Sequence, residues 1–263
     1  MKLTRRSALL ALSAAVTLAG TLPAAADLAD IKARGVIRIA VAMGIPQYSY
    51  VDATMKPAGS DVETARLLAE DLGVKLELVE ITNAARVPTV QTGKADLVVS
   101  ALGITDERKK AIDFSIPYAT LALIVAAPAE IEIKDYADLT GKRIALTRAT
   151  TNDQDITNNT TGAEILRFED DATLITSVVS GQVDIISSQS AVIGGINDRR
   201  AKGPVEIKFI QKETNLGIGM AQGNPELLAW VNDWVQTNFD NGRLREVFKT
   251  YQHRDLPDDL TSR

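Results

Sequence analysis

The chain of 263 residues contains no cysteine and one histidine, His253. Without thiols there are no disulfides, no thiol nucleophile, no thiolate metal site and no lipidated cysteine of the kind that tethers many exported proteins. A single imidazole leaves almost nothing for histidine-based metal binding or base catalysis. No Pro/Ser/Gly-rich linker or low-complexity tract divides the sequence, so any division into lobes must be made by strands that cross between them. A long membrane span is also missing: the apolar stretch Ala8 to Leu22 is short and broken by Ser13, Thr17 and Gly20.

That stretch has a different meaning. A basic start (Lys2, Arg5, Arg6), the apolar run and the Ala24-Ala25-Ala26 ending follow the order of a secretory signal, with cleavage expected after Ala26. The pair Arg5-Arg6 leaves twin-arginine export as the alternative route. Removing three of 29 basic residues and none of 34 acidic ones takes the formal charge from −5 to about −8. A chain this acidic is ill suited to nucleic acid or anionic lipid. The expectation is a protein free in the periplasm of a Gram-negative cell, monomeric, without metal or organic cofactor.

The remaining chain alternates strand and helix. Val36 to Ala42 reads as a strand. Ser60-Asp61-Val62-Glu63 has capping-box spacing ahead of Val62, Ala65, Leu68 and Leu72 at helical intervals, with Gly73 as the stop. Val74, Leu76 and Leu78 alternate as a strand. A helix around Arg86 to Thr92 ends at Gly93, and Ala95 to Val99 reads as a strand buried on both faces. The same grammar recurs: a strand at Arg143 to Thr147, a helix at Gln154 to Asn159, a strand at Ile165 to Phe168 and a helix at Asp171 to Ser180. Trp230 and Trp234 read as packing of a closing helix opened by Asn224 and Pro225. Two segments match closely, Gly93-Lys-Ala-Asp96-Leu-Val-Val-Ser100 and Gly181-Gln-Val-Asp184-Ile-Ile-Ser-Ser188. Two similar α/β halves imply two lobes, and ligands of such sheets sit beyond the carboxyl ends of the strands.

At this level of detail the chain resembles the family 3 periplasmic solute-binding proteins, the type II amino-acid-binding class. The residues that carry the resemblance are Pro46 to Asp52, Gly59-Ser-Asp61-Val62, Pro88 to Asp96, Ile104 to Tyr118, Leu139 to Lys142, Gly181 to Asp184, Gly217 to Ala221, Asn224 to Leu227 and Gly242. The resemblance implies a two-lobed α/β fold, each lobe a mostly parallel sheet flanked by helices, with two crossing strands as hinge. Lobe 1 would be residues 27–118 plus 216–263, lobe 2 residues 122–213, and the hinge 119–121 and 214–215. It also implies a clamshell that closes on a small carboxylate-bearing, amino-acid-like solute and delivers it to the permease of an ABC transporter in the inner membrane.

The family pattern places the ligand carboxylate on Arg108, whose planar guanidinium suits two parallel hydrogen bonds. Ser100 and the backbone at Ala101 and Gly103 correspond to the ligand loop, with Gly103 lacking the usual hydroxyl. Across the cleft, Thr150, Thr151 and Asn152 precede a helix, whose free N–H groups and two hydroxyls would receive an anion; the plain alternative is that Thr151 is only an N-cap. The acid that pairs with an α-ammonium in family members falls on Gln189, the stacking aromatic falls on Asn83, and other cradle residues fall on Ala42 and Ile45. Arg86 lies in the same loop, as a second positive group or a salt-bridged surface arginine. Tyr48 and Tyr50 would supply an apolar wall, one of them packing in the core instead. Two arginines and no acid favour an acidic or carboxylate-rich solute, or an amino acid whose ammonium finds another partner.

Two other function classes share the fold. A dehydratase of the cyclohexadienyl type needs a positioned proton donor, and the matching loops offer neither acid nor histidine, so no enzyme is expected. A ligand-presenting sensor or chemotaxis protein is compatible with transport.

Overall fold

The computed structural model describes residues 27–263; the expected secretion signal, Met1 to Ala26, lies outside the described residues. Helix α1 (Leu28–Arg34), capped by Asp27, leads into β1 (Val36–Ala42). A small hairpin, β2 (Tyr50–Val51) and β3 (Pro57–Ala58), precedes α2 (Ser60–Leu72) and β4 (Lys75–Ile81). Then come α3 (Arg86–Gln91), β5 (Leu97–Val98), α4 (Asp106–Lys109) and β6 (Asp113–Phe114). The second half holds β7 (Ala119–Pro128), β8 (Arg143–Thr147), α5 (Thr151–Asn159), β9 (Glu164–Phe168) and α6 (Asp171–Val179). It continues through β10 (Ile186–Gln189), α7 (Val192–Asn197) and β11 (Val205–Leu216). The chain returns with β12 (Gly219–Met220), α8 (Pro225–Asp240) and α9 (Arg243–Gln252).

These strands form two five-stranded sheets, β4-β1-β5-β12-β6 and β11-β7-β10-β8-β9. In the first, β1 runs parallel to β4 and β5 and the returning β12 is antiparallel. In the second, β8 is parallel to β9 and β10, while β7 and β11 make a long antiparallel pair from Ala119 opposite Leu216 to Pro128 opposite Val205. The near-continuous apolar runs follow from burial on both faces. Ile39 and Val41 join α2, α8 and α9 in one core through Val62, Leu68, Val231 and Phe248, while Ala40 faces Val90 of α3. In β7, Ile124 and Ala126 pack toward Leu174 and Val192, and Val125 and Ala127 toward Ile144 and Ile156.

The matched Asp residues do matching work. Asp96, with a fully buried side chain, takes the Arg38 N–H at 2.7 Å and ion pairs from Arg34 at 2.6 Å and Arg38 at 2.7 Å. Asp184 pairs with the buried Arg200 ahead of β10. Asp96 thus fixes where β1 begins by taking the Arg38 amide, whereas the half-exposed Asp184 makes an ion pair with Arg200.

The expected capping box is corrected. The N-cap of α2 is Gly59, not Ser60, and its φ is 118°. A Cβ there would lie 2.3 Å from the Tyr48 carbonyl oxygen, so only glycine lets the helix start press against that turn. The first amides of α2 are satisfied by backbone instead, Ser60 N–H by the Gln47 carbonyl and Asp61 N–H by that of Tyr48. Glu63 pairs with Arg66. The expected stop holds, since Gly73 closes α2 in the left-handed region, and Thr105 caps α4.

Candidate functional site

The carboxyl ends of β1 and β5 face those of β8 and β10, and the loops beyond them meet in a closed cleft. Bonds across it join the two halves: Asn83 to Asp171, Gln154 to Glu107 at 2.8 Å, and Arg86 and Arg108 to the Ala149 carbonyl.

The two arginines set the electrostatics. Arg108 sits in α4 with its own N–H on the Thr105 hydroxyl, and its side chain donates to Gly103 O at 2.8 Å and Ala149 O at 2.9 Å. Arg86 opens α3 and is 3% exposed. It donates to the carbonyls of Asn83, Ser100, Ala101 and Ala149 at 2.9 to 3.3 Å. The surface salt bridge considered for it is therefore corrected: among the described residues neither arginine has a carboxylate within ion-pair distance. Burial pushes both guanidiniums down from their ordinary range, and for Arg86 the neighbouring Arg108 adds to the push. Two positive charges thus converge on one neutral oxygen, and Ala149 presents it from a left-handed φ of 57°.

The ligand loop is held mostly by its own bonds. Ser100 is fully buried, and its hydroxyl accepts the Ala42 N–H at 2.8 Å. Ala101, at φ 43°, donates its N–H to Asp61 at 2.7 Å. Both groups expected to face a ligand therefore brace the loop, though Ala101 still lines the cleft. Gly103 has a steric role: a Cβ there would stand 2.7 Å from the Thr151 and Thr214 methyls, so the lack of any side chain is what lets the second half approach.

On the opposite side Thr150, not Thr151, is the N-cap of α5; its oxygen accepts the Asp153 N–H and its hydroxyl donates to Thr147 O at 2.7 Å. Thr151 is buried in the cleft wall. Asn152 also lines it, but its amide is turned to Ser187 and Ser188 at 3.0 Å each. Gln189 ends β10 with both polar atoms of its buried amide unpartnered among the described residues. An amide left so costs about 1–3 kcal/mol, which marks it as a group kept for something other than stability.

Tyr48 does not form the expected wall. It is 1% exposed, packs in the core and donates its hydroxyl to Thr120 O at 2.9 Å. Tyr50 lies in a separate surface groove with Tyr251 and His253. Ile45 and Leu121 supply apolar lining instead, in a tight chamber of about 30 Å³ shared with Asn83, Arg86, Thr151, Asp171 and Gln189.

Asp171 is the residue the sequence reading missed. It is the first residue of α6, 7% exposed; one carboxylate oxygen accepts the Asn83 amide at 2.7 Å and the other the Thr147 hydroxyl at 3.3 Å. Burial pushes its carboxyl up, against the pull of Asn83, Arg86 and Thr147. The expectation that the cleft lacks an acid is corrected by this residue. Its signal was hidden in Glu169-Asp170-Asp171, where Asp170 is the helix cap and only the next position turns inward.

The family model for bacterial extracellular solute-binding proteins, family 3, matches residues 37–254. The L-cystine-binding protein TcyJ of Escherichia coli (strain K12) is 27% identical over 258 residues, 95% of this chain and 97% of its own. The solute receptor for L-cysteine of Neisseria gonorrhoeae is 32% identical with a TM-score of 0.79, over 86% of this chain and 93% of that one. The ancestral amino-acid-binding protein AncCDT-1, described as a precursor of cyclohexadienyl dehydratase, is 32% identical with a TM-score of 0.78, over 85% and 98%. The architecture is that of the type II binding proteins.

Proposed function

The chain belongs to the bacterial extracellular solute-binding proteins, family 3, and we propose that it is the periplasmic substrate-binding component of an ABC importer for a small amino acid of acidic or neutral side chain. In this reading Arg108 grips the ligand carboxylate, taking it in place of the Ala149 carbonyl. Asp171 receives the ammonium, with Gln189 beside it, and Arg86 adds a positive field at the floor. Residues 119–121 of β7 and 214–215 of β11 are the hinge, and the lobes they join are residues 27–118 with 216–263, and 122–213. The observation that carries the proposal is that Arg86 shares a closed chamber with the buried Asp171 carboxylate while Arg108 meets Arg86 at the Ala149 carbonyl beside it. Relatives named for cystine, cysteine and amino-acid binding support it. The surplus of positive charge argues against basic amino acids.

A thermal-shift panel tests the reading: L-aspartate, L-glutamate, L-cysteine, L-cystine, L-glutamine, L-arginine and succinate. At 100 to 1,000 times its dissociation constant a binder adds roughly 3–4 kcal/mol of stability. Stabilisation by an acidic or neutral amino acid is expected; stabilisation by L-arginine alone, or by nothing in the panel, overturns it.

Asp171 also favours one second reading. A buried carboxyl with a raised pKa is the kind of proton donor a dehydratase requires. Loss of prephenate absorbance on incubation with the protein, abolished by Asp171→Asn, would establish it; an unchanged spectrum removes it.

A further inference from the structure

Asp61 is fully buried in the first turn of α2, behind the ligand loop and outside the cleft. One carboxylate oxygen accepts the Ala101 N–H at 2.7 Å and the other the Tyr118 hydroxyl at 2.7 Å. Ala101 stands at φ 43°, a conformation a residue with a Cβ keeps only when its surroundings impose it. The carbonyls of Ser100 and Ala101 are two of the four that hold Arg86. Tyr118 immediately precedes β7, and its N–H bonds Leu216 O at the end of β11. One carboxylate therefore spans the loop that positions a cleft arginine and the root of both long strands. Packing alone gives no reason for an acid here, because both of its partners are neutral donors and burying a charge is unfavourable.

We propose that Asp61 is a positioning residue of the binding site: by accepting from Ala101 and Tyr118 together, it keeps the Arg86-holding loop in register with the crossing strands. The inference rests on the reading of Arg86 and Arg108 as the cationic part of the site. The titratable groups facing Asp61 are Tyr118, Tyr48 and Arg86, with Arg254 acting on Tyr48 from behind. Burial raises the Asp61 carboxyl to about 7, while Tyr118, the Ala101 N–H and Arg86 pull it down. Ionised, it accepts from both partners. Protonated, one oxygen becomes a donor and the Tyr118 hydroxyl must turn to accept. The geometry of the loop then depends on which state is present.

The test needs no ligand, so its failure is distinct from failure of the functional reading. In isotope-labelled protein the Ala101 amide and the Arg86 Nε–H resonances are followed by NMR between about pH 5 and pH 9. Both are expected to shift together, with a midpoint at about 7. Asp61→Asn, which keeps the shape and the bond from Ala101, turns Tyr118 into an acceptor and cannot ionise, should abolish both titrations. Tyr118→Phe, which removes one donor to the carboxylate, should move the midpoint upward. A titration that persists in Asp61→Asn, or an Arg86 resonance that stays fixed while Ala101 shifts, overturns the proposal.

Discussion

The Asn83 amide donates to the Asp171 carboxylate at 2.7 Å, and that bond crosses from one half of the molecule to the other. Closure thus brings the cleft's acid to a loop whose next turn carries Arg86, placing the two charge signs at one chamber. The second Asp171 oxygen has only the longer Thr147 contact, at 3.3 Å, and keeps capacity for a cationic donor. Asp171→Asn should weaken binding of an amino acid roughly 10- to 100-fold, the worth of about 1.5–3 kcal/mol for a hydrogen bond to a charged group. A dicarboxylate without an ammonium should be spared. Calorimetry with the tightest amino acid of the panel and with succinate reads both.

Gln189 separates stability from function. Among the described residues both of its buried polar atoms lack partners, so Gln189→Leu should raise the unfolding midpoint of the ligand-free protein, by an amount equivalent to about 1–3 kcal/mol. The same variant should bind its amino acid more weakly. A thermal melt and a calorimetric titration on one preparation check the pair of signs.

Gly103 sets how far the halves close. Gly103→Ser restores the hydroxyl common in the family but forces the Thr151 and Thr214 methyls away from a 2.7 Å approach. We expect ligand affinity to fall at least about tenfold, with overpacking costing about 1–3 kcal/mol of the closed form. Small-angle scattering should show a more open average shape in the presence of ligand.

Asp61 makes stability depend on pH. Its folded-state pKa, about 7, lies above the ordinary carboxylate value, so folding favours the protonated form. The stabilisation is complete below about pH 4 and is lost as pH rises through about 7. Asp71 works in the opposite sense: its carboxyl is lowered, because the bonds from Arg243 and Trp234 outweigh its burial. The diagnostic quantity is therefore the difference between wild type and Asp61→Asn. The variant should gain relative to wild type between about pH 4 and pH 7 and hold that gain above it, measured by urea denaturation.

The architecture was legible wherever period and punctuation agreed. β1, β4, β8 and β9 announced themselves by apolar runs, and α2, α3 and α6 by glycines taking positive φ just past their ends. The Asp96 and Asp184 segments predicted a repeat, and each acid is paired with arginine, Asp96 with Arg34 and Arg38 and Asp184 with Arg200. The place of Arg108 at the cleft was readable because its whole motif was present. Three features were not. Ser60 looked like a cap because capping chemistry is local, whereas Gly59 was selected by a turn more than ten residues away in sequence. Tyr48 looked like a site aromatic, but its hydroxyl meets Thr120, a contact made only when the chain folds back. Asp171 sat in an acidic triplet, and which of three carboxylates is buried depends on the rotation of α6 against β8, which no spacing reports.

The central claim is that Arg108 holds a ligand carboxylate. Its most direct test is titration calorimetry of wild type and Arg108→Ala, side by side, with whichever amino acid of the panel stabilises the protein most. Truncating one partner of a hydrogen-bonded charge pair costs about 2–5 kcal/mol, so the variant should bind at least roughly 30-fold more weakly while its far-ultraviolet circular dichroism is unchanged. Affinity within a few-fold of wild type would show that the carboxylate is held elsewhere, and would contradict the account of the cleft given above.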